Sequence, residues 1–208
     1  MFLYYITDRK AFGGTDAKQQ ASVLRRIAEA ARAGVDYIQL REKDLVPREL
    51  ERLARVAVRA VRDHSGTTKL LVNSRSDVAL ACGADGVHLA SGELSASEVR
   101  ALWKKCSREP VIGISAHSVA DVRDAEAAGA DFAVLAPIFE KVQIGSKGIG
   151  LEALREACGG RSFNVLALGG VNLSNAGKCL RAGAGGVAGI RLFQNGDVRK
   201  TVTRLRRM

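Results

Sequence analysis

Gln39, Arg41 and Lys43 stand at alternate positions where a short apolar stretch, Val35 to Leu40, runs into four consecutive charges. Side chains alternate across a strand, so these three project from one face at its end. A guanidinium and an ammonium placed this way suit an anionic group such as a pyrophosphate; the plainer reading is a strand running out into a solvated turn. Far downstream lie Gly169-Gly170 and Gly189-Ile190-Arg191. Glycine lets backbone N–H groups approach phosphate oxygens, although it serves tight strand-to-helix turns as well. Polar residues close other apolar runs: Asn73-Ser74-Arg75 after Lys69 to Val72, Ser91 and Glu93 after Gly86 to Leu89, and Ser115 and His117 after Val111 to Ile114. Glu93 and Asp44 are candidate Mg²⁺ ligands, because Mg²⁺ in phosphate sites needs only one or two carboxylates. Asp44 reads equally as a charge flanking a helix start. His117 has the chemistry of a general base, or it packs over the start of the following helix.

Residues so scattered need a scaffold to collect them, and a repeat indicates which. The phrase Ala33-Gly34-Val35-Asp36 returns as Cys82-Gly83-Ala84-Asp85, as Ala128-Gly129-Ala130-Asp131 and, more loosely, as Ala182-Gly183-Ala184-Gly185. Each glycine suits the left-handed cap of a helix and is followed by a short apolar strand. The interval of about fifty residues holds two strand–helix units, so the four copies predict eight. Strands are expected at Phe2–Thr7, Val35–Leu40, Lys69–Val72, Gly86–Leu89, Val111–Ile114, Phe132–Leu135, Asn164–Leu168 and Gly186–Ile190. Helices fill the gaps, with Asp16 as the first N-cap, Pro47 in a first turn, a Ser95/Glu98 capping box and Ser118/Asp121 as a carboxylate variant of it. Such alternation predicts a parallel sheet, and right-handed crossovers close eight units into a single compact (β/α)₈ barrel over residues 1–208. An open doubly wound sheet fits the fourfold repeat less well. Active sites of such barrels lie at the C-terminal strand ends, where the polar residues above fall. A longer loop at 136–150 offers Glu140, Lys141, Gln143, Ser146 and Lys147 and is placed to act as a lid. Its Gly145-Ser146-Lys147-Gly148 lacks the preceding strand and glycine spacing of a Walker loop.

Composition narrows the partners. The 208 residues are 47% hydrophobic and 26% charged, ordinary values for a globular chain. No apolar run reaches the roughly 18 residues of a membrane span. No basic leader precedes the first strand, and the 4 cysteines form no CxxC, so reduced thiols and a cytoplasmic location are expected. The net charge of +10 invites a nucleic-acid reading. The arginines are however spread along helices among Glu29, Glu49 and Glu51, without interleaved aromatics, which is the pattern of solvated helix faces. A basic surface also attracts small phosphorylated metabolites. Oligomeric state stays open, a homodimer being the commonest closed assembly.

Taken together, Tyr5-Ile6-Thr7-Asp8, Gln39-Leu40-Arg41-Glu42-Lys43-Asp44, Val72-Asn73, Ala84-Asp85-Gly86-Val87-His88-Leu89, Gly113-Ile114-Ser115-Ala116-His117, Ala167-Leu168-Gly169-Gly170-Val171 and Ala182-Gly183-Ala184 resemble the thiamine phosphate synthase and TenI superfamily along nearly the whole chain. The resemblance implies a (β/α)₈ barrel of thiamine biosynthesis. Synthases of this group join hydroxymethylpyrimidine pyrophosphate to thiazole phosphate and release pyrophosphate, with Mg²⁺ assisting its departure; TenI-type members tautomerise a thiazole carboxylate phosphate. By position, Gln39, Arg41, Lys43 and Asn73 match contacts to the pyrimidine pyrophosphate, and Ser115 matches another active-site polar residue. Gly170, Ile190 and Arg191 fall on the thiazole phosphate site, with Gly169 and Gly189 beside them and Lys141 in the lid. Ser74 stands where synthases usually carry an aspartate, Glu93 replaces another, and the usual Thr-x-Thr-Lys clamp of the lid is missing. Pro137 stands where tautomerases have a histidine, whereas Gln39 is a synthase feature. A synthase is therefore the expected activity, with a TenI-type tautomerase or a non-catalytic thiazole-phosphate-binding homologue as alternatives.

Overall fold

The computed structural model describes residues 1–90, 93–140, 147–160 and 162–208. Among them eight parallel strands close on themselves: β1 (Phe2–Ile6), β2 (Tyr37–Leu40), β3 (Lys69–Asn73), β4 (Gly86–Leu89), β5 (Val111–Ala116), β6 (Phe132–Leu135), β7 (Asn164–Ala167) and β8 (Gly186–Gly189). Each pairs with the next, and β8 pairs back onto β1 with Leu3 opposite Val187. The outer ring is α1 (Asp16–Ala33), α2 (Pro47–Arg62), α3 (Ser76–Cys82), α4 (Ala96–Lys104), α5 (Val119–Ala127), α6 (Gly150–Cys158), α7 (Ala176–Arg181), a short α8 (Arg191–Gln194) and α9 (Val198–Arg206). This is the expected (β/α)₈ barrel. None of the described helices is long and apolar enough to cross a membrane.

Helix faces follow from spacing. In α2, Leu50, Leu53, Ala54, Ala57, Val58 and Val61 recur at helical period and are buried, while Arg48, Arg52, Arg55 and Arg59 are exposed. The arginines therefore solvate the outer surface. The Ser95/Glu98 box caps α4, and Ser118 accepts from the Asp121 amide at α5, as expected. At α1 the cap is Thr15, whose hydroxyl accepts from the Lys18 amide; Asp16 is the first helical residue instead. The second strand starts at Tyr37, later than Val35, because the Val35 amide bonds back to the Ala30 carbonyl and completes the α1 cap around Gly34, which has φ +87°.

The repeated aspartate has a structural task at the base of the barrel. Asp36 Oδ2 accepts from the Leu3 amide at 2.6 Å, Asp85 Oδ2 from the Leu70 amide at 2.8 Å, and Asp131 Oδ2 from the Ile112 amide at 2.7 Å. Each aspartate precedes an even-numbered strand and holds the start of the strand before it. The fourth copy carries Gly185, where a Cβ would lie 2.6 Å from Asn164 Oδ1. Inside the barrel, Phe132 stacks on Tyr37 with ring centres 4.9 Å apart and meets Tyr4 edge-on at 5.3 Å. These rings, with Leu71, Val134 and Leu166, fill the lumen below the strand ends.

Replacing Asp85 with alanine leaves the buried Leu70 amide without an acceptor, at a cost of about 1–3 kcal/mol. Asp85→Asn keeps an acceptor oxygen and should recover most of that loss. Urea unfolding of the two variants checks this; equal losses would show that the acceptor is not what matters.

Candidate active site

The end of β1 is locked to the end of β2 by one buried carboxylate. Glu42 accepts from the Thr7 hydroxyl at 2.6 Å, from the Arg9 amide at 3.0 Å and from the Arg9 guanidinium at 3.4 Å. Burial pushes the Glu42 carboxyl up, opposed by the bonds from Thr7 and Arg9. Arg9 is itself buried and grips Asp44 with both terminal nitrogens, at 2.6 and 2.9 Å, and Asp16 at 2.9 Å. Asp44 is therefore the partner of Arg9 and of Lys10 at 3.0 Å, which removes it from the candidate metal ligands. Thr7 also accepts the Arg41 amide at 3.0 Å. The network so orients the turn that Glu42 faces the strand wall, while Arg41, next in alternation, shares the face of Gln39.

Gln39 is buried in the lumen, and among the described residues its Nε2 has no hydrogen-bond partner. A buried amide donor left open is costly unless a ligand completes it. Lys43, Asn73, Ser74 and Glu93 line one pocket of 340 Å³ at the ends of β2, β3 and β4. Asn73 Nδ2 donates to Ser74 Oγ at 2.7 Å, and Ser74 takes a left-handed φ of +63°. Glu93 accepts the Ala90 amide on Oε2 at 2.9 Å. Among the described residues no group of three or more His, Cys, Asp or Glu side chains gathers as a ready metal cage.

A second pocket, of 360 Å³, opens at the ends of β7 and β8. Its lining includes Gly169, Gly170, Gly189, Ile190 and Arg191, so the structure unites residues that lie in two separate stretches of sequence. Gly169 and Gly170 have φ of +93° and +68°, and a Cβ on them would meet Pro137 at 2.6 Å and Phe139 at 2.7 Å. Glycine is required twice over, for the turn and for close approach to the chain leaving β6. The Phe139 amide donates to the Gly169 carbonyl at 3.0 Å, closing this wall. The short α8 after β8 was not expected from sequence; barrels of this kind often place phosphate between the β7 and β8 loops and such an extra helix.

His117 is exposed, with Nδ1 on the Ala136 carbonyl at 3.0 Å, and lines neither pocket. Ser115 lies at the end of β5, with Oγ 2.9 Å from Nε2 of His88. His88 Nδ1 is 3.2 Å from the Tyr4 hydroxyl. Burial, and after it the charge of Arg41, lowers His88 to about 3, so its ring is neutral at pH 7. Neither Tyr4 nor His88 was singled out from sequence. Alternation from Asn73, which pairs with His88, would have placed the ring inside the barrel. Lys141, Gln143 and Ser146 of the expected lid, and Ser91, lie outside the described residues.

A family model described as thiamine monophosphate synthase matches residues 3–193. The chain belongs to the thiamine monophosphate synthase family. It is 38% identical to the thiamine-phosphate synthase of Methanoculleus marisnigri, covering 98% of this chain and 93% of that protein. It is 36% identical to that of Moorella thermoacetica over the same shares. The structure of a thiamine phosphate pyrophosphorylase from Pyrococcus furiosus superposes with a TM-score of 0.81 at 30% identity, covering 99% of this chain and 94% of that one. Membership agrees with the position of both pockets at the strand ends. A further cavity, of 640 Å³, lies between α1 and the start of α9 on the outer ring, lined by Arg26, Arg32 and Arg199.

Arg9 holds the Asp44 carboxyl well below the usual carboxylate range. A depressed folded pKa stabilises fully above the unfolded value, near 4, and the contribution is lost as pH falls below it. Asp44 is 38% exposed, so solvent screening limits the effect to about 1 kcal/mol. Asp44→Asn should be less stable than the parent at pH 7, and the gap should narrow steadily below about pH 4. Urea midpoints measured at several pH values check this; a gap that does not change with pH would exclude the charge pair as its cause.

Proposed function

We propose that this chain joins hydroxymethylpyrimidine pyrophosphate to thiazole phosphate, forming thiamine phosphate and releasing pyrophosphate. The observation that carries the reading is the buried Gln39 amide, whose Nε2 has no partner among the described residues, set in a lumen whose rim bears one pocket where Lys43 and Arg75 stand with Glu42 and Glu93, and another of glycine backbone. A pyrimidine offers ring nitrogens to an amide, and two phosphorylated substrates need two anion sites. Arg41 and Lys43 take the pyrophosphate, while Gly169, Gly170, Gly189, Ile190 and Arg191 take the thiazole phosphate. A cytoplasmic location goes with this reading, since small phosphorylated substrates of this kind and free cysteines both suit a reducing compartment.

The reaction breaks the bond between the pyrimidine methylene carbon and the pyrophosphate oxygen, and both electrons leave with the pyrophosphate. The thiazole nitrogen then gives its lone pair to that carbon. No proton is transferred, so the chain needs no general base; its residues orient both partners and neutralise the departing anion. Arg41 and Lys43 supply fixed positive charge, and Gln39 holds the pyrimidine ring. Mg²⁺, when bound, adds charge neutralisation at the leaving pyrophosphate. One carboxylate with amide and hydroxyl oxygens beside it, Glu93 with Asn73 and Ser74, fits an ion whose coordination the substrate completes. Ser74 also supports a second reading: without the usual aspartate, the chain could bind thiazole phosphate and not turn it over.

Incubation with both substrates and Mg²⁺ should yield thiamine phosphate. Binding of thiazole phosphate without product, at every Mg²⁺ concentration, would replace the first reading with the second; conversion of a thiazole carboxylate phosphate alone would point to tautomerisation. Arg41→Ala should weaken the pyrimidine pyrophosphate by about one to two decades and thiazole phosphate far less. Paired titrations decide, since equal losses with the fold intact would mean that the two anion sites are wrongly assigned.

A further inference from the structure

The lumen holds a chain of polar groups that neither anion pocket uses: Tyr4, His88 and Ser115. Tyr4 is fully buried, and among the described residues its hydroxyl meets one hydrogen-bonding atom, Nδ1 of His88. A phenol proton stranded among the rings of Tyr37 and Phe132 would carry its full desolvation cost. Tyr4 therefore donates, and Nδ1 must be the unprotonated nitrogen. The single ring proton then sits on Nε2, which faces Ser115 Oγ at 2.9 Å. Ser115 accepts from beneath, and its own proton is left for the mouth. An Nδ1–H tautomer, or a doubly protonated ring, would reverse the first bond and strand the Tyr4 proton. Gly113 makes the arrangement fit, because a Cβ there would lie 2.8 Å from His88 Nδ1 and 2.6 Å from the Phe132 ring.

We propose that Tyr4 and His88 set the polarity of Ser115, so that its hydroxyl must donate a hydrogen bond to an acceptor atom of the substrate. Resting on the synthase reading above, that acceptor is a pyrimidine ring nitrogen or a pyrophosphate oxygen. Ser115 touches substrate; Tyr4 and His88 are positioning residues that act through it. The consequence is selectivity: a ligand that brings only a donor to this point leaves the Ser115 proton without a partner.

Two measurements test this. Nitrogen-15 spectra of the full chain labelled at histidine, with the His88 signals assigned by their loss in His88→Gln, should show at pH 7 an unprotonated Nδ1 and a protonated Nε2. Tyr4→Phe should let the Nδ1–H form appear. An Nδ1–H or doubly protonated His88 in the parent protein overturns the assignment. The second measurement is a double-mutant cycle in the affinity for hydroxymethylpyrimidine pyrophosphate. Ser115→Ala should lose about tenfold, the scale of one neutral hydrogen bond. Tyr4→Phe should lose less, and nothing further in the Ser115→Ala background. Additive losses overturn the proposal, because Tyr4 would then act on the lumen at large. The spectra need no substrate. A parent protein that fails to bind the pyrimidine therefore removes the synthase reading, while the polarity of the chain stands or falls on the tautomer.

Discussion

The amide of the second residue of β1, β3 and β5 needs an acceptor, and the aspartate just before the following strand supplies it. Asp36, Asp85 and Asp131 do this for Leu3, Leu70 and Ile112. The bond is short and local, yet it governs the far end of the barrel. A slip of one residue between paired strands sends every side chain to the opposite face. With register held at the base, Gln39 opposite Leu71, Asn73 opposite His88 and His88 opposite Gly113 are all forced inward. The inward candidates of β2, β3 and β4 thus depend on register held by three carboxylates at the other end of the barrel. Arg206 and Arg100 reach two of them, at 2.7 and 3.0 Å, so the cost of half-burying each is offset by a cation from the helical ring.

At the mouth the same problem recurs with stronger charges. Four consecutive ionic residues follow β2, and alternation alone would leave them competing for one another. Arg9 resolves the competition by taking both Glu42 and Asp44. Hydrogen bonds from Thr7 and from the Arg9 amide complete the lone pairs of Glu42, which is the condition under which a buried carboxylate is tolerable. Arg41 and Lys43 would consequently keep their charge for the proposed pyrophosphate. A single arginine just after β1 thus takes both carboxylates of the charged run that follows β2.

The barrel was legible because its determinants are local: the Gly34, Gly83 and Gly129 caps, the alternation of β2 and the helical period of α2 each fall within one element. The turn glycines Gly169 and Gly170 were legible for the same reason, since positive φ and close approach to Pro137 and Phe139 leave only glycine there. What escaped was non-local. Asp44 reads as a free carboxylate until Arg9, thirty-five residues earlier, is known to fold onto it. His88 reads as a core residue in an apolar repeat until its two ring nitrogens find Tyr4 and Ser115 on different strands. Thr15 displaced Asp16 as a cap because Arg9 draws on the Asp16 carboxylate. The four-residue α8 is too short to show any period.

The distribution of charge along the barrel axis makes chemical sense of these parts together. Cations stand at the rim, where Arg41 and Lys43 meet the solvent. Beneath them the described lumen residues are neutral: Gln39, the Tyr4–His88–Ser115 chain and the rings of Tyr37 and Phe132. In the proposed reaction negative charge grows on the departing pyrophosphate and positive charge on the pyrimidine left behind. An imidazolium at His88 would repel that pyrimidine cation at short range in a medium of low dielectric. Burial and the charge of Arg41 both oppose such protonation, with burial the larger. Arg41, the residue proposed to take the pyrophosphate, therefore also helps keep the histidine below uncharged, so that in the proposed reaction one side chain would shape the field at both ends of the breaking bond.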